Sequence, residues 1–146
     1  MEVYIFSDGE HGNKTVIKNT KKALQYLLRK YEDKKIVFLT EIFSSEDFPI
    51  IKKMEEEKKL FINNGVEVYK PIIDLCLKKE IKILPLKSSL KENHEKGILE
   101  NCLVYLRANK SSDVYVIDIG EAHVDAFFNK IKEEFNIKPK IFYFTP

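Results

Sequence analysis

The chain holds no tryptophan, only two cysteines and three histidines, and no large excess of either charge among its 146 residues. Each scarcity excludes something. Cys76 and Cys102 fall in helical patterns without metal-ligand spacing, so they read as buried free thiols, which fits a reducing cytoplasm. A formal net charge of +2 is far from the balance of a strongly basic nucleic-acid binder. No apolar run is long enough to span a bilayer. The amino terminus enters an apolar strand after one acidic residue, with no basic segment and no small-residue cleavage pattern, so no secretory signal is expected. Internal repeats, low-complexity tracts and domain linkers are absent, and residues 1–146 are read as one α/β domain of ordinary size.

What is present is a globular composition, 44% hydrophobic and 33% charged. Runs such as Lys52-Lys53-Met54-Glu55-Glu56-Glu57-Lys58-Lys59 alternate in charge and read as a solvated helix face. Short apolar runs rich in β-branched and aromatic residues predict strands at Val3–Phe6, Ile36–Leu39, Ile81–Leu86, Val114–Ile117 and Ile141–Phe144. Helical stripes lie between them: Val16, Ala23, Leu27 and Tyr31; Ile72, Leu75 and Cys76; Ile98, Cys102, Tyr105 and Leu106; Val124, Phe127, Phe128, Ile131 and Phe135. Asn63-Asn64-Gly65 punctuates the middle, and Asn136-Ile137-Lys138-Pro139 separates the last helix from the last strand. Alternation of this kind implies right-handed crossovers and a three-layer α/β/α sandwich around a mostly parallel sheet of about five strands. Chain order alone leaves the strand order open.

Two turns at opposite ends of the chain each follow a buried-looking strand and carry Gly-Glu and His. They are Asp8-Gly9-Glu10-His11-Gly12-Asn13 and Gly120-Glu121-Ala122-His123. In an α/β protein such turns reach the carboxyl edge of the sheet, where ligands bind, so residues over a hundred positions apart can share a pocket. Glycines on both sides of Glu10-His11 permit a tight bend and close approach to a ligand. Glu10 could orient a water, bind a metal or accept a proton, and His11 could be a base or a ligand; the bland alternative is a loop that caps a helix starting near Thr15. Glu41, directly after the second strand, adds a carboxylate at the same edge, where it would favour a cation or polarise a histidine. Lys87 could bind an anionic substrate group there. Ser88 or Ser89 reads as a cap for the next helix, with no nucleophile elbow around it. His123 falls in the first turn of a helix beginning near Gly120, where the dipole keeps an imidazole neutral, as a base or metal ligand requires. His94 stands in the charged stretch Lys91-Glu92-Asn93-His94-Glu95-Lys96 and is assigned to solvent.

As a set, Gly9-Glu10-His11-Gly12, Glu41 and Gly120-Glu121-Ala122-His123 resemble the superfamily of erythromycin esterases, TraB-type proteins, Tiki metalloproteases and ChaN-like haem-binding proteins. The helix-then-strand segment Ile72 to Leu86 is also similar, and the resemblance covers Val3 to Phe144. Glu10 and His11 are adjacent, whereas in those families the His stands further from the Glu, and the chain is shorter than most members, with no room for a helical insertion over the site. A shorter likeness of Ser7-Asp8 and His11-Gly12-Asn13 to the opening of metallophosphoesterases fails on spacing, and the later turns of that family are missing.

The resemblance implies a hydrolytic or ligand-holding site, and members that open lactones, cleave peptides or bind haem share the fold. The expectation is a hydrolase of an ester or amide bond. Glu10, His11, Glu41 and His123 would be catalytic or would hold a divalent metal (Mn, Co or Zn), and Lys87 and Glu121 would touch a small-molecule or peptide substrate. Nucleic acid and membrane are not expected partners, and the oligomeric state is left open. The alternatives are a non-enzymatic metal or haem binder, with Tyr4 or Tyr115 packed nearby, and an interaction domain whose polar turns only cap helices.

Overall fold

A computed structural model describes residues 1–60, 65–88, 94–108 and 113–146. Asn63, Asn64, Ser89 and the segment before His94 lie outside the described residues. Ten elements alternate along the chain: β1 (Glu2–Asp8), α1 (Lys14–Lys30), β2 (Ile36–Ser44), α2 (Phe48–Glu57), α3 (Lys70–Lys78), β3 (Lys82–Lys87), α4 (His94–Ala108), β4 (Val114–Gly120), α5 (Val124–Phe135) and β5 (Lys140–Phe144). The strands form one sheet in the order β3-β2-β4-β1-β5, and every pairing is parallel. This is the α/β architecture the alternating pattern predicts.

The three inner strands β1, β2 and β4 bury both faces, which is why their sequences read as continuous apolar runs rather than alternating ones. Successive side chains go to opposite layers. Tyr4, Phe6, Phe38, Val114 and Val116 pack with α1, α2 and α3 through Leu24, Leu27, Met54 and Cys76. Val3, Ile5, Leu39, Tyr115 and Ile117 pack with α4 and α5 through Ile98, Cys102, Phe127 and Ile131. Both cysteines are buried free thiols, and burial pushes both thiol pKa values up. The hydroxyls of Tyr4 and Tyr31 share a hydrogen bond (2.6 Å) at the carboxyl end of α1, so Tyr4 does not reach the opposite edge of the sheet. No helix among the described residues is long and apolar enough to cross a membrane.

The strand order determines where a crevice opens. β1 and β2 send their chains into helices on one face, while their shared neighbour β4 sends its chain to the other. Connections that leave in opposite directions splay the carboxyl ends of neighbouring strands, the place where α/β sheets bind ligands.

The strands also run further than the apolar runs indicate. β1 continues to Asp8, β4 to Gly120 and β2 to Ser44, so Glu41 lies inside β2 rather than after it. The β2–β4 ladder nevertheless stops at Thr40↔Asp118, and the β2–β3 register shifts between Thr40 and Ser44. Such an irregularity re-aims side chains at a sheet edge. At the end of β1, the Gly9 amide donates to the Phe144 carbonyl (2.9 Å), and a Cβ at Gly9 would stand 2.6 Å from that oxygen. Asn13 then caps α1 by accepting from the amides of Thr15 (2.9 Å) and Val16 (3.2 Å), which satisfies two of the helix's orphan donors.

Candidate functional site

Glu41 is the centre of the carboxyl edge. It is buried, and the Gly120 amide donates to its Oε2 at 2.6 Å. With β2 out of the ladder at this point, the carboxylate takes the place of a main-chain acceptor and is held rigidly. The other oxygen, Oε1, lies 3.0 Å from His94 Nε2 and 3.9 Å from His123 Nε2. One ligand atom from each of Glu41, His94 and His123 falls within 4.8 Å of the other two. The second nitrogen of His123, Nδ1, is 3.0 Å from Glu95 Oε2. A carboxylate on the far nitrogen fixes the tautomer and the ring plane, as it does for histidines that bind metals.

His94 is exposed, as its charged stretch suggests, but it also has partners in the protein. Its side chain is 48% exposed, yet its ring bonds Glu41 and packs edge-on against His123, with centroids 5.6 Å apart. His94 opens α4, the helix that follows β3, and β3 neighbours β2; the strand order therefore delivers it to Glu41. His123 is approached by a single turn of 3-10 helix (Glu121–His123), and α5 proper begins at Val124. Helical residues thus begin near Gly120 as expected, and His123 is the residue that precedes α5.

His11 stands on the other side of Gly120. Its Nδ1 is 2.8 Å from Asp8 Oδ2, and this bond, more than any other influence, raises the imidazole pKa above its ordinary value. The ring fills the space a side chain at Gly120 would need: a Cβ there would lie 3.1 Å from His11 Nε2 and 3.6 Å from Glu41 Oε2. The two distant histidines therefore share one rim, with Glu41 and Gly120 between them.

The remaining expected residues divide. Lys87, at the end of β3, lines a cavity of about 290 Å³ together with Asp8, His11, Glu41, Tyr69 and Asp118. Glu10 is not part of the cluster: it is exposed, and its Oε2 accepts from Asn13 Nδ2 (3.2 Å) beside the α1 cap. Glu121 is exposed at the start of its 3-10 turn and does not line the cavity. The adjacency of Glu10 and His11 explains their separation, since neighbours in an extended turn point in different directions.

Asp8, Asp118, Thr40 and Tyr69 are the residues that sequence reasoning passed over. Asp8 accepts twice, from the Glu10 amide (3.1 Å) and through His11. Asp118 is the acidic residue within β4, and its Oδ2 accepts from the Thr40 hydroxyl at 2.7 Å. Burial pushes the Asp118 carboxyl up to about 7; Thr40 opposes that shift, while Asp8 and Glu41 add to it. Burial, with help from Asp8 and Asp118, pushes Tyr69 up to about 12, so its phenol stays protonated. The available signal was an acidic residue interrupting an otherwise apolar strand, as in Val116-Ile117-Asp118-Ile119.

No family model and no curated protein matches the chain. Two solved structures, described as "Crystal structure of bacterial protein toxins" and "Bacterial protein toxins", share its fold. The first aligns with a TM-score of 0.63 at 9% identity over 84% of this chain, the second with 0.62 at 8% over 83%. The chain spans 28% of the length of each toxin, so in both of them this fold is one part of a larger protein.

Proposed function

We propose that the chain hydrolyses ester or amide bonds, with Glu41, His94 and His123 holding a divalent cation such as Mn, Co or Zn. The observation that carries the reading is the convergence of one carboxylate oxygen and two imidazole nitrogens from three separate elements within 4.8 Å. Three protein ligands leave coordination positions for water and substrate, as in catalytic rather than structural sites. Two imidazoles and a carboxylate suit Zn, Co or Mn better than Ca. Such an ion supplies a hydroxide at neutral pH and polarises a carbonyl oxygen.

The chain's own groups complete the chemistry. Asp8 holds His11 through Nδ1, which leaves Nε2 as the free nitrogen above Gly120 on the Glu41 side. In that tautomer Nε2 can take a proton from the attacking water. Lys87, at the cavity wall, can hold an anionic group of the substrate. Gly120 and Glu95 are positioning residues for Glu41 and His123.

The test is calorimetric titration of the protein with Zn, Co and Mn, followed by ester and peptide substrates with each metal. The expected result is one divalent ion per chain, lost in the double variant His94→Ala/His123→Ala, and hydrolysis that needs the ion. A wild type that binds none of the three and cleaves none of the substrates ends the reading.

A further inference from the structure

Two carboxyl groups, Asp8 and Asp118, line the cavity with different partners. Asp8 and Asp118 come from neighbouring paired strands and point to the same layer, since Phe6 pairs with Asp118 and Asp8 with Gly120. Asp8 has an acceptor bond on each oxygen, one from a main-chain amide and one shared with an imidazole whose proton affinity it raises. Asp118 is 7% exposed and has one neutral hydroxyl as its hydrogen-bond partner among the described residues. That hydroxyl is committed: Thr40 Oγ1 accepts from the Ile42 amide (3.0 Å) and gives its own proton to Asp118 Oδ2. Burial without a cationic partner disfavours a charge on Asp118, and its titration near pH 7 agrees with this. The residue lines the same cavity as His11, Tyr69 and Lys87. A buried carboxyl without a cationic partner, facing the same cavity as an imidazole held by Asp8, is the arrangement of an acid opposite a base.

We propose that Asp118 is the general acid that protonates the leaving group in the hydrolysis described above; the inference rests on that reading. Water oxygen bonds to the carbonyl carbon, and the water proton passes to His11 Nε2. When the tetrahedral intermediate collapses, the bond from carbon to the ester oxygen or amide nitrogen breaks. Its electron pair stays with the leaving atom, which takes the proton from the Asp118 carboxyl. The products are a carboxylic acid and an alcohol or amine. The protonated His11 and ionised Asp118 are reset by proton exchange with solvent through the cavity. No oxidant, reductant or second substrate is needed.

The experiment compares Asp118→Asn with wild type on 4-nitrophenyl and alkyl esters of one acid, with metal loaded. A 4-nitrophenolate departs without a proton, whereas an alkoxide needs one. The expected loss in kcat is about a hundredfold or more on the alkyl ester and less than about threefold on the 4-nitrophenyl ester. Asp118→Ser, with a smaller polar side chain, repeats the comparison if Asp118→Asn fails to fold. Equal losses on both esters, or no loss on either, overturn the acid assignment while leaving the hydrolase standing. A wild type inert on both esters, with every metal, removes the hydrolase and this inference together.

Discussion

The amide of Gly120, the last residue of β4, donates a 2.6 Å hydrogen bond to the carboxylate of Glu41, 79 positions earlier in β2. This bond joins the two halves of the edge, because His94 and His123 gather on the other oxygen of Glu41 while His11 lies over Gly120 itself. The Gly120 backbone (φ −62°, ψ 149°) is one any residue can adopt, so the requirement for glycine there is steric. A methyl group would press on His11 Nε2 at 3.1 Å. His11 is more than half exposed and can swing away, so the substitution should displace the imidazole rather than unfold the chain. Gly120→Ala is expected to lower kcat to the level of His11→Ala while shifting Tm by less than about 4 °C, on the order of 1 kcal/mol. Hydrolysis assays beside thermal unfolding check this; a Gly120→Ala protein as active as wild type shows that His11 takes no part.

Glu95 offers a test of the metal reading that leaves every proposed ligand in place. Its carboxylate meets His123 Nδ1 at 3.0 Å from the first turn of α4, so it orients the ring without touching the ion site. Loss of such a partner weakens metal affinity roughly tenfold to a hundredfold. Glu95→Ala should show that loss by calorimetry with the stoichiometry unchanged. Unchanged affinity would mean that the His123–Glu95 pair is only a surface contact.

Much of the scaffold can be read from the chain, and much of the site cannot, for one physical reason. A strand buried on both faces leaves a local trace, as Val114 to Ile117 does, and so does an amphipathic helix such as α5. The carboxyl edge is built from pairings that no local pattern records. His94 sits in a charged stretch and looks solvated until β3 is known to lie beside β2. Asp118 ends the apolar run Val114–Ile117 and looks like a strand terminus, whereas β4 continues through it to Gly120 in its ladder with β1, and Thr40 of β2 bonds the carboxyl. Glu41, His11 and His123 were legible because each follows a strand-like run or stands beside a glycine. Glu10 matched that same pattern, and its placement depended on the direction of one side chain in a turn.

Tyr115 makes a prediction about stability alone. Its hydroxyl is buried and has no hydrogen-bond partner among the described residues, and burial pushes its pKa up to about 12. An unsatisfied buried hydroxyl costs about 1–3 kcal/mol, whereas an apolar group of the same shape does not. Tyr115→Phe is therefore expected to leave stability unchanged or raise it by up to about 1 kcal/mol in denaturant melts. A loss of more than that would reveal a partner for the hydroxyl.

Asp118 ties the proposed chemistry to pH-dependent stability. Its carboxyl titrates near 7 in the folded chain, against 3.8 ordinarily. Between those values the folded state holds a proton that the unfolded state has released. The unfolded state thus binds fewer protons, and stability falls as pH rises from about 4 to about 7, with a limiting slope of about 1.4 kcal/mol per pH unit. The groups that act on it are Thr40, Asp8, Glu41 and His11. His11, whose pKa is raised, contributes stability that is likewise lost as pH rises through its folded value, but it is present in both proteins and largely cancels in a comparison. Asp118→Asn keeps the shape of the neutral carboxyl and cannot ionise. Its Tm should match wild type near pH 4 and exceed it by at least about 3 °C at pH 8, a few kcal/mol being worth several degrees at this size. Parallel melting curves of the two proteins from pH 4 to pH 8 would show instead that Asp118 is ionised throughout, which leaves it no proton to give.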